Sequence, residues 1–276
     1  MQLSPITAHK WEEETREQVV KLCPHDSAYN AMRKISEICP EGAVRSSSLS
    51  ITYRLTPELT HLISSVYRQE GVNLTSCKPS QIKSGTLNNL GDLWAHPGVY
   101  LVIHGECSSQ KSNAFEAELI RDIFLARGVE ESKASPETVS VITPHRAQRG
   151  LLKDLLSDLS YHIKLIDTVE RLQGGECETI IVSGTQSESS AISRNADFIL
   201  DLNRTNVIFS RAQERLIVVC SENLLNSVPS DIEDYASSWL WKHLRAVCDH
   251  TVLSLDNYEY PVEIRVPGKF WTRDGE

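Results

Sequence analysis

Nowhere does the chain read G-x-x-x-x-G-K-S/T, and the dinucleotide pattern G-x-G-x-x-G is missing as well. A nucleotide's β- and γ-phosphates need converging backbone N–H groups, a lysine and a magnesium ligand. This chain by itself is therefore not expected to hydrolyse ATP. H-E-x-x-H, G-x-S-x-G and D-F-G are absent too, so the usual signatures of zinc proteases, serine hydrolases and protein kinases are missing. The seven cysteines, at 23, 39, 77, 107, 177, 220 and 248, form no C-x-x-C. Their odd number and wide spacing argue against a disulfide framework or a zinc knuckle, and no metal site is expected. Reduced cysteines fit an intracellular protein, cytoplasmic or nuclear. There is no run of eighteen apolar residues and no basic-then-apolar N-terminus. Neither a membrane span nor a signal peptide is expected. No internal repeat is visible.

What remains is ordinary for a folded domain. The 276 residues are 40% hydrophobic and 24% charged, enough for a sizeable core. The formal charge of -9 runs against the basic footprint of most nucleic-acid binders. A short cationic stripe can still coexist with an acidic remainder.

Hydrophobic patterning sets the layout. Residues 1–49 are polar and irregular, with helix candidates at Ala8–Leu22 and Tyr29–Ile38. Strands are expected at Ser50–Arg54, Val99–His104, Val139–Thr143, Ile163–Asp167, Thr179–Gly184 and Arg215–Cys220. Helices are expected after Pro57, over Asn113–Ala126 and Gln148–Leu159, and around Val207–Ser210, with a last one over Ser230–Val247. Residues 71–96 look irregular. Continuous apolar strands interleaved with helices imply an α/β fold in three layers around a mostly parallel sheet. The polar tail from Thr251, with Pro261 and Pro267, reads as either a short strand or a flexible end.

Several residues could carry chemistry. Arg54 follows a strand candidate and Arg211 lies at or near a helix start. Each could reach a phosphate as a bidentate donor or pair with a carboxylate. Arg204, close to Asp197 and Asp201, suggests a structural ion pair. Thr143-Pro144-His145 and Asp167-Thr168 end two strand candidates, at the edge where open α/β sheets bind ligands. Each threonine suits either a nucleic-acid phosphate or a helix cap. Gln173, Gly174 and Glu176 lie in a glycine-rich turn that either faces a nucleotide or simply closes a loop. Trp239 and Trp241 could stack bases or bury against the sheet.

Five segments resemble, in order, motifs of the second RecA-like domain of superfamily 1 helicases. The branch is the one containing the nonsense-mediated-decay, Sen-type and nuclease-fused replication helicases. Gln2-Leu3-Ser4-Pro5 resembles the end of G-D-x-x-Q-L-x-P, as though the chain began inside that motif. Tyr53-Arg54, extended to Leu59, resembles Y-R-x-x-P-x-I/L. Ile142 to Gln148 resembles I-T/S-P-Y/H-x-x-Q. Asp167 to Glu176 resembles the family's motif V, and Asn206-Val207-Ile208-Phe209-Ser210-Arg211-Ala212 resembles N-V-A-L/I-T/S-R-A. Differences from the usual pattern are Ile208-Phe209 for Ala-Leu, Gln213 for a cation, and Gly175 for Arg or Lys.

The resemblance implies a RecA-like P-loop NTPase fold without its own phosphate loop. It divides the chain into a bridging segment (1–49), a motor domain (50–229) and a C-terminal helix with a polar tail (230–276). Arg54 and Arg211 would contact the γ-phosphate, and Gln2 would link that phosphate to the domain interface. Gln173, Gly174 and Glu176 would line the nucleotide side. Thr143, Pro144, His145 and Thr168 would contact single-stranded DNA or RNA. ATP and Mg2+ would be held mainly by a first RecA-like domain of the same protein, a monomer. A degenerate helicase-like regulatory module that binds protein or nucleic acid without turnover is the alternative from another class. The sequence preceding Met1 discriminates between them. A metabolic α/β enzyme would need a catalytic constellation that none of these residues supplies.

Overall fold

The computed structural model describes residues 28–38, 45, 47–80, 83–127, 138–172, 175–229 and 231–272. Two compact units divide at Leu49/Ser50. In the first unit, helix α1 (Ala28–Ile38) carries Met32, Ile35 and Ile38 at helical spacing. The helix expected over Ala8–Leu22 lies outside the described residues.

The second unit is built on a seven-stranded sheet. In chain order its strands are β4 (Gly98–His104), β5 (Val139–Ile142), β6 (Leu165–Asp167), β7 (Cys177–Ser183), β8 (Ala212–Ser221), β9 (His250–Leu255) and β10 (Val262–Val266). The spatial order is β6-β5-β7-β8-β4-β10-β9. The first five strands of that order run parallel. β10 joins β4 antiparallel and β9 joins β10 antiparallel. The sheet is thus mixed, because the stretch read as a polar tail supplies two of its strands. Short parallel pairs β1 (Ile51–Thr52) with β2 (Thr75–Ser76), and β3 (Lys83–Ser84) with β11 (Trp271–Thr272), stand apart from it.

Helices cover both faces. Alternate strand residues Tyr100, Val102, Val139, Val141, Ile181, Ile217, Val219 and Ile264 share one apolar cluster. The cluster also takes Leu119, Ile120 and Ile123 of α4 (Ala114–Leu125), Leu152 of α5 (Arg146–Leu155), and Trp94 of α3 (Asp92–Ala95). The intervening strand residues Leu101, Ile180, Leu216 and Val218 are equally buried. On that side α2 (Pro57–Gln69) packs on β4 and β8, and α9 (Leu202–Phe209) packs on β7 and β8. α12 (Trp239–Val247) lies against α2 and α9. The period-2 alternation of a strand sends every other side chain to the opposite face, so both faces need a helical cover.

Local chemistry fixes the helix starts. Thr56 accepts a hydrogen bond from Leu59 N at 3.4 Å, with Pro57 in the first turn of α2. Asn113 caps α4 through Glu116 N at 2.9 Å. Asp201 caps α9 through Arg204 N at 2.7 Å. α5 begins two residues earlier than its periodicity implies and gives way to a 3₁₀ turn over Ser157–His162. The remaining short helices are α6 (Val169–Leu172), α7 (Ser189–Arg194), α8 (Ala196–Ile199), α10 (Glu222–Asn226) and α11 (Ile232–Ser237).

Candidate functional site

Because β4 to β8 are all parallel, their carboxyl ends share one edge of the sheet. β5 delivers Thr143, Pro144 and His145 there, and β6 beside it delivers Asp167 and Thr168. Thr143 N donates to Asp167 O at 3.2 Å, tying the two segments together. Asp167 Oδ1 accepts from Thr168 N at 2.8 Å and from Arg149 Nη1 at 3.0 Å. Burial opposes ionisation of Asp167, but these donors hold its carboxyl below the usual range. Thr143 is fully buried, and its hydroxyl lies 2.8 Å from that of Thr185 rather than facing solvent. His145 takes the N-cap position of α5, and its half-buried ring lies tilted against Phe198 with centroids 5.6 Å apart. Burial, then the charge of Lys111, keeps its imidazole below the ordinary histidine value and so neutral near pH 7.

Behind this edge lies a buried polar network that sequence reading missed. Glu116, fully buried on α4, accepts from Ser183 Oγ at 2.6 Å and Thr185 N at 2.9 Å, and meets His104 Nε2 at 3.1 Å. Gln148 bridges Ser183 Oγ and the backbone of Asn113. Thr185 has φ of 70°, and Gln186 N returns to Gly184 O at 2.8 Å across it. That is a γ-turn with a non-glycine centre, a strained geometry that persists only where surrounding bonds enforce it. Here Glu116 and Thr143 supply those bonds. The available signal was position: Glu116 falls on the same helical stripe as Leu119, Ile120 and Ile123, where a carboxylate needs a buried partner.

The second cluster lies at the opposite, amino side of β7 and β8. Arg54 follows β1, and Arg211 occupies the turn between the carboxyl end of α9 and β8, not a helix start. Glu176 forms an ion pair with Arg54 and accepts from Gln213 Nε2 at 2.9 Å. Lys78 Nζ in turn donates to Gln213 O at 2.8 Å. Arg211 lies within electrostatic reach of both Arg54 and Glu176, and its Nε is buried without a hydrogen-bond partner. Burial, then the like charge of Arg54, lowers its proton affinity. Glu176 pairs with Arg54 alone while Arg211 lies only within electrostatic range, which leaves an excess positive charge and unused Nε donors on both arginines. That arrangement fits a phosphate oxygen.

The Gln213 hydrogen bond, with the Arg54 charge and against burial, holds the Glu176 carboxyl below its usual value. Its folded pKa lies below the unfolded one, so its contribution is present above about pH 4.3 and fades as pH falls through the folded value. Both partners are about one-third exposed, so the contribution should stay below about 1 kcal/mol. Urea titrations of wild type and Glu176→Gln should differ slightly at neutral pH and converge in acid. A difference independent of pH would refute the pairing.

Arg204 makes its ion pair with Glu170 at 2.7 Å and stacks on Phe198 at 4.2 Å, while Asp201 holds its backbone. Gln2, Gln173 and Gly174 lie outside the described residues. Trp241 is buried, packed edge-on to Phe209 with ring centroids 6.0 Å apart, whereas Trp239 is 42% exposed.

A parallel-stranded core extended by an antiparallel hairpin, with charged clusters at both strand ends, makes this an α/β domain. The chain belongs to the AAA_12 family, described as an AAA domain, which matches residues 31–223. Among curated proteins it is 30% identical over 149 residues to mouse DNA replication ATP-dependent helicase/nuclease DNA2, covering 54% of this chain and 13% of that protein. It is 37% identical over 86 residues to the uncharacterized ATP-dependent helicase MJ0104 of Methanocaldococcus jannaschii, covering 31% and 12% respectively. Against DNA polymerase alpha-associated DNA helicase A of Schizosaccharomyces pombe it is 29% identical over 113 residues, covering 41% and 16%. The chain therefore spans only a small part of each relative. Among the described residues, no helix is long and apolar enough to cross a membrane.

Proposed function

We propose that this chain is the second, RecA-like motor domain of an ATP-dependent DNA or RNA helicase. Arg54 and Arg211 are its γ-phosphate ligands, and Glu176 is the counter-ion that holds Arg54 ready. ATP and Mg2+ are held mainly by a first RecA-like domain of the intact protein. Gln2, Gln173 and Gly174 serve the nucleotide side of that cleft. Pro144, His145 and Thr168 hold the strand backbone, and Thr143, buried with its hydroxyl on Thr185, supports that edge from behind. An intracellular site, cytoplasmic or nuclear, and a monomeric motor accord with this reading.

The observation that carries it is the approach of Arg54, ion-paired to Glu176, to the turn that holds Arg211, where its Nη1 donates to Ser210 O at 3.5 Å, from segments far apart in the chain. A guanidinium that meets the phosphoryl group in the transition state lowers the barrier more than it tightens ground-state binding. Cleft closure brings such donors to the nucleotide, and the accompanying shift of the strand-holding edge gives directional stepping. In the protein carrying both motor domains, Arg211→Ala should cut ATP turnover by roughly tenfold or more. ATP binding should be largely retained. Near-normal turnover would overturn the assignment.

A further inference from the structure

The cations of α5 are arranged on one side of the helix. At 100° per residue Arg146, Arg149 and Lys153 fall within one arc of about 60°, roughly 110° round the helix from the buried Gln148 and Leu152. Arg146 and Lys153 are exposed, and Arg149 is half-exposed. Arg149 is committed to Asp167 at 3.0 Å. Arg146 and Lys153 have no hydrogen bond or ion pair among the described residues. Lys111, also exposed, brings its charge to bear on His145. Pro144 and His145 are thus flanked by Lys111 and Arg146, and the cationic face continues to Lys153, about 10 Å farther along the helix.

In a chain of net charge -9 this concentration of positive charge is local, with Lys153 reaching Asp167 only through its field and Arg149 alone in direct contact with it. Its location adds to its meaning. The stripe starts at the carboxyl ends of β5 and β6, where the N-terminal turn of α5 also points its positive dipole end. Thr143 turns its hydroxyl inward to Thr185. The contact its hydroxyl would make at this edge is therefore open to the neighbouring cations.

We infer that Lys111, Arg146 and Lys153 form a phosphate track that carries a single nucleic-acid strand from the Pro144–His145 edge along the outer face of α5. The inference rests on the nucleic-acid part of the proposed function and extends it to Arg146, at a variable position of the Ile142–Gln148 motif, and to Lys111 and Lys153 outside the motifs. The occupant is the phosphodiester backbone, shared by DNA and RNA, so base sequence should matter little. Charge complementarity sets the affinity, and salt should weaken it through counterion release.

The test uses the full 276-residue chain and labelled oligo-dT and oligo-U, titrated by fluorescence anisotropy between about 50 and 200 mM salt. Arg146→Gln with Lys153→Gln should weaken binding at least tenfold at the low-salt end. It should also reduce the slope of log K against log salt by about 1.4, the release expected from two lost single-strand phosphate contacts. Thermal stability should be unchanged, because both side chains are exposed and unpaired. Lys269→Gln, beside Phe270 at the amino end of β4, should leave the slope as it is. An unchanged slope in the double variant, with wild-type binding intact, overturns the track alone. No salt-dependent binding by wild type overturns both the track and the strand-holding role. A duplex bound as tightly, with the same loss of slope in the variant, overturns the single-strand assignment.

Discussion

Glu116→Leu is expected to destabilise the domain by about 3–5 kcal/mol, since it leaves buried donors without an acceptor. Ser183 Oγ, Thr185 N and His104 Nε2 all converge on this one carboxylate. Leucine fits the volume but accepts nothing. The loss should also release Thr185 from its strained turn and with it the hydroxyl contact to Thr143. Glu116→Gln should cost less, since its amide oxygen can still accept from part of the set. Urea unfolding followed by circular dichroism reads the difference. A cost under about 1 kcal/mol for the leucine variant would mean that the network is incidental.

The second large effect concerns the paired tryptophans. Trp241→Ala should cost about 3–5 kcal/mol, the range for emptying a buried aromatic site. Trp241 is 4% exposed and packs on Phe209, two residues before Arg211. Its removal should loosen α12 from α9 and blunt phosphate contact by Arg211 in the intact motor. Trp239→Ala should stay within about 0.5 kcal/mol, because that ring is half in solvent and only stacks on His243. Equal costs for the two substitutions would contradict the packing. Burial and exposure of the pair follow from helix geometry: residues i and i+2 point to different faces, so one indole goes in and the other out.

Much of the fold was legible because parallel strands buried on both faces are written as unbroken apolar runs. Leu216-Ile217-Val218-Val219 and Ile180-Ile181-Val182 leave little choice. β10 was harder. Its Val262, Ile264 and Val266 alternate with Glu263 and Arg265, a legible period of two, but Pro261 and Pro267 bracket it and the charges suggest a surface tail. Only the pairing with β4 shows that its apolar half belongs to the main cluster. Arg211 follows a helix end because Asp201, not a residue nearer Val207, caps the helix, which then runs Leu202–Phe209 and is spent at Ser210. The closeness of Arg54 to Arg211 was implied by family resemblance alone, since no local pattern relates segments so far apart. Glu176 as the partner of Arg54, and Thr185 as the partner of Thr143, depend on tertiary packing that spacing does not encode.

The placement of β10 has a consequence for synthesis. Leu101 pairs with Arg265 and His104 with Val262, so one edge of β4 is completed by chain made roughly 160 residues later, on the order of ten seconds or more at ribosomal speeds. Its other neighbour, β8, also emerges well after it. A nascent chain therefore carries β4, apolar from Val99 to Ile103, with both hydrogen-bonding edges open until β8 emerges and one edge open until β10 does. Chaperone dependence should follow the length of that delay, and ribosome-stalled chains ending before Val262 should bind holdases that the finished domain does not.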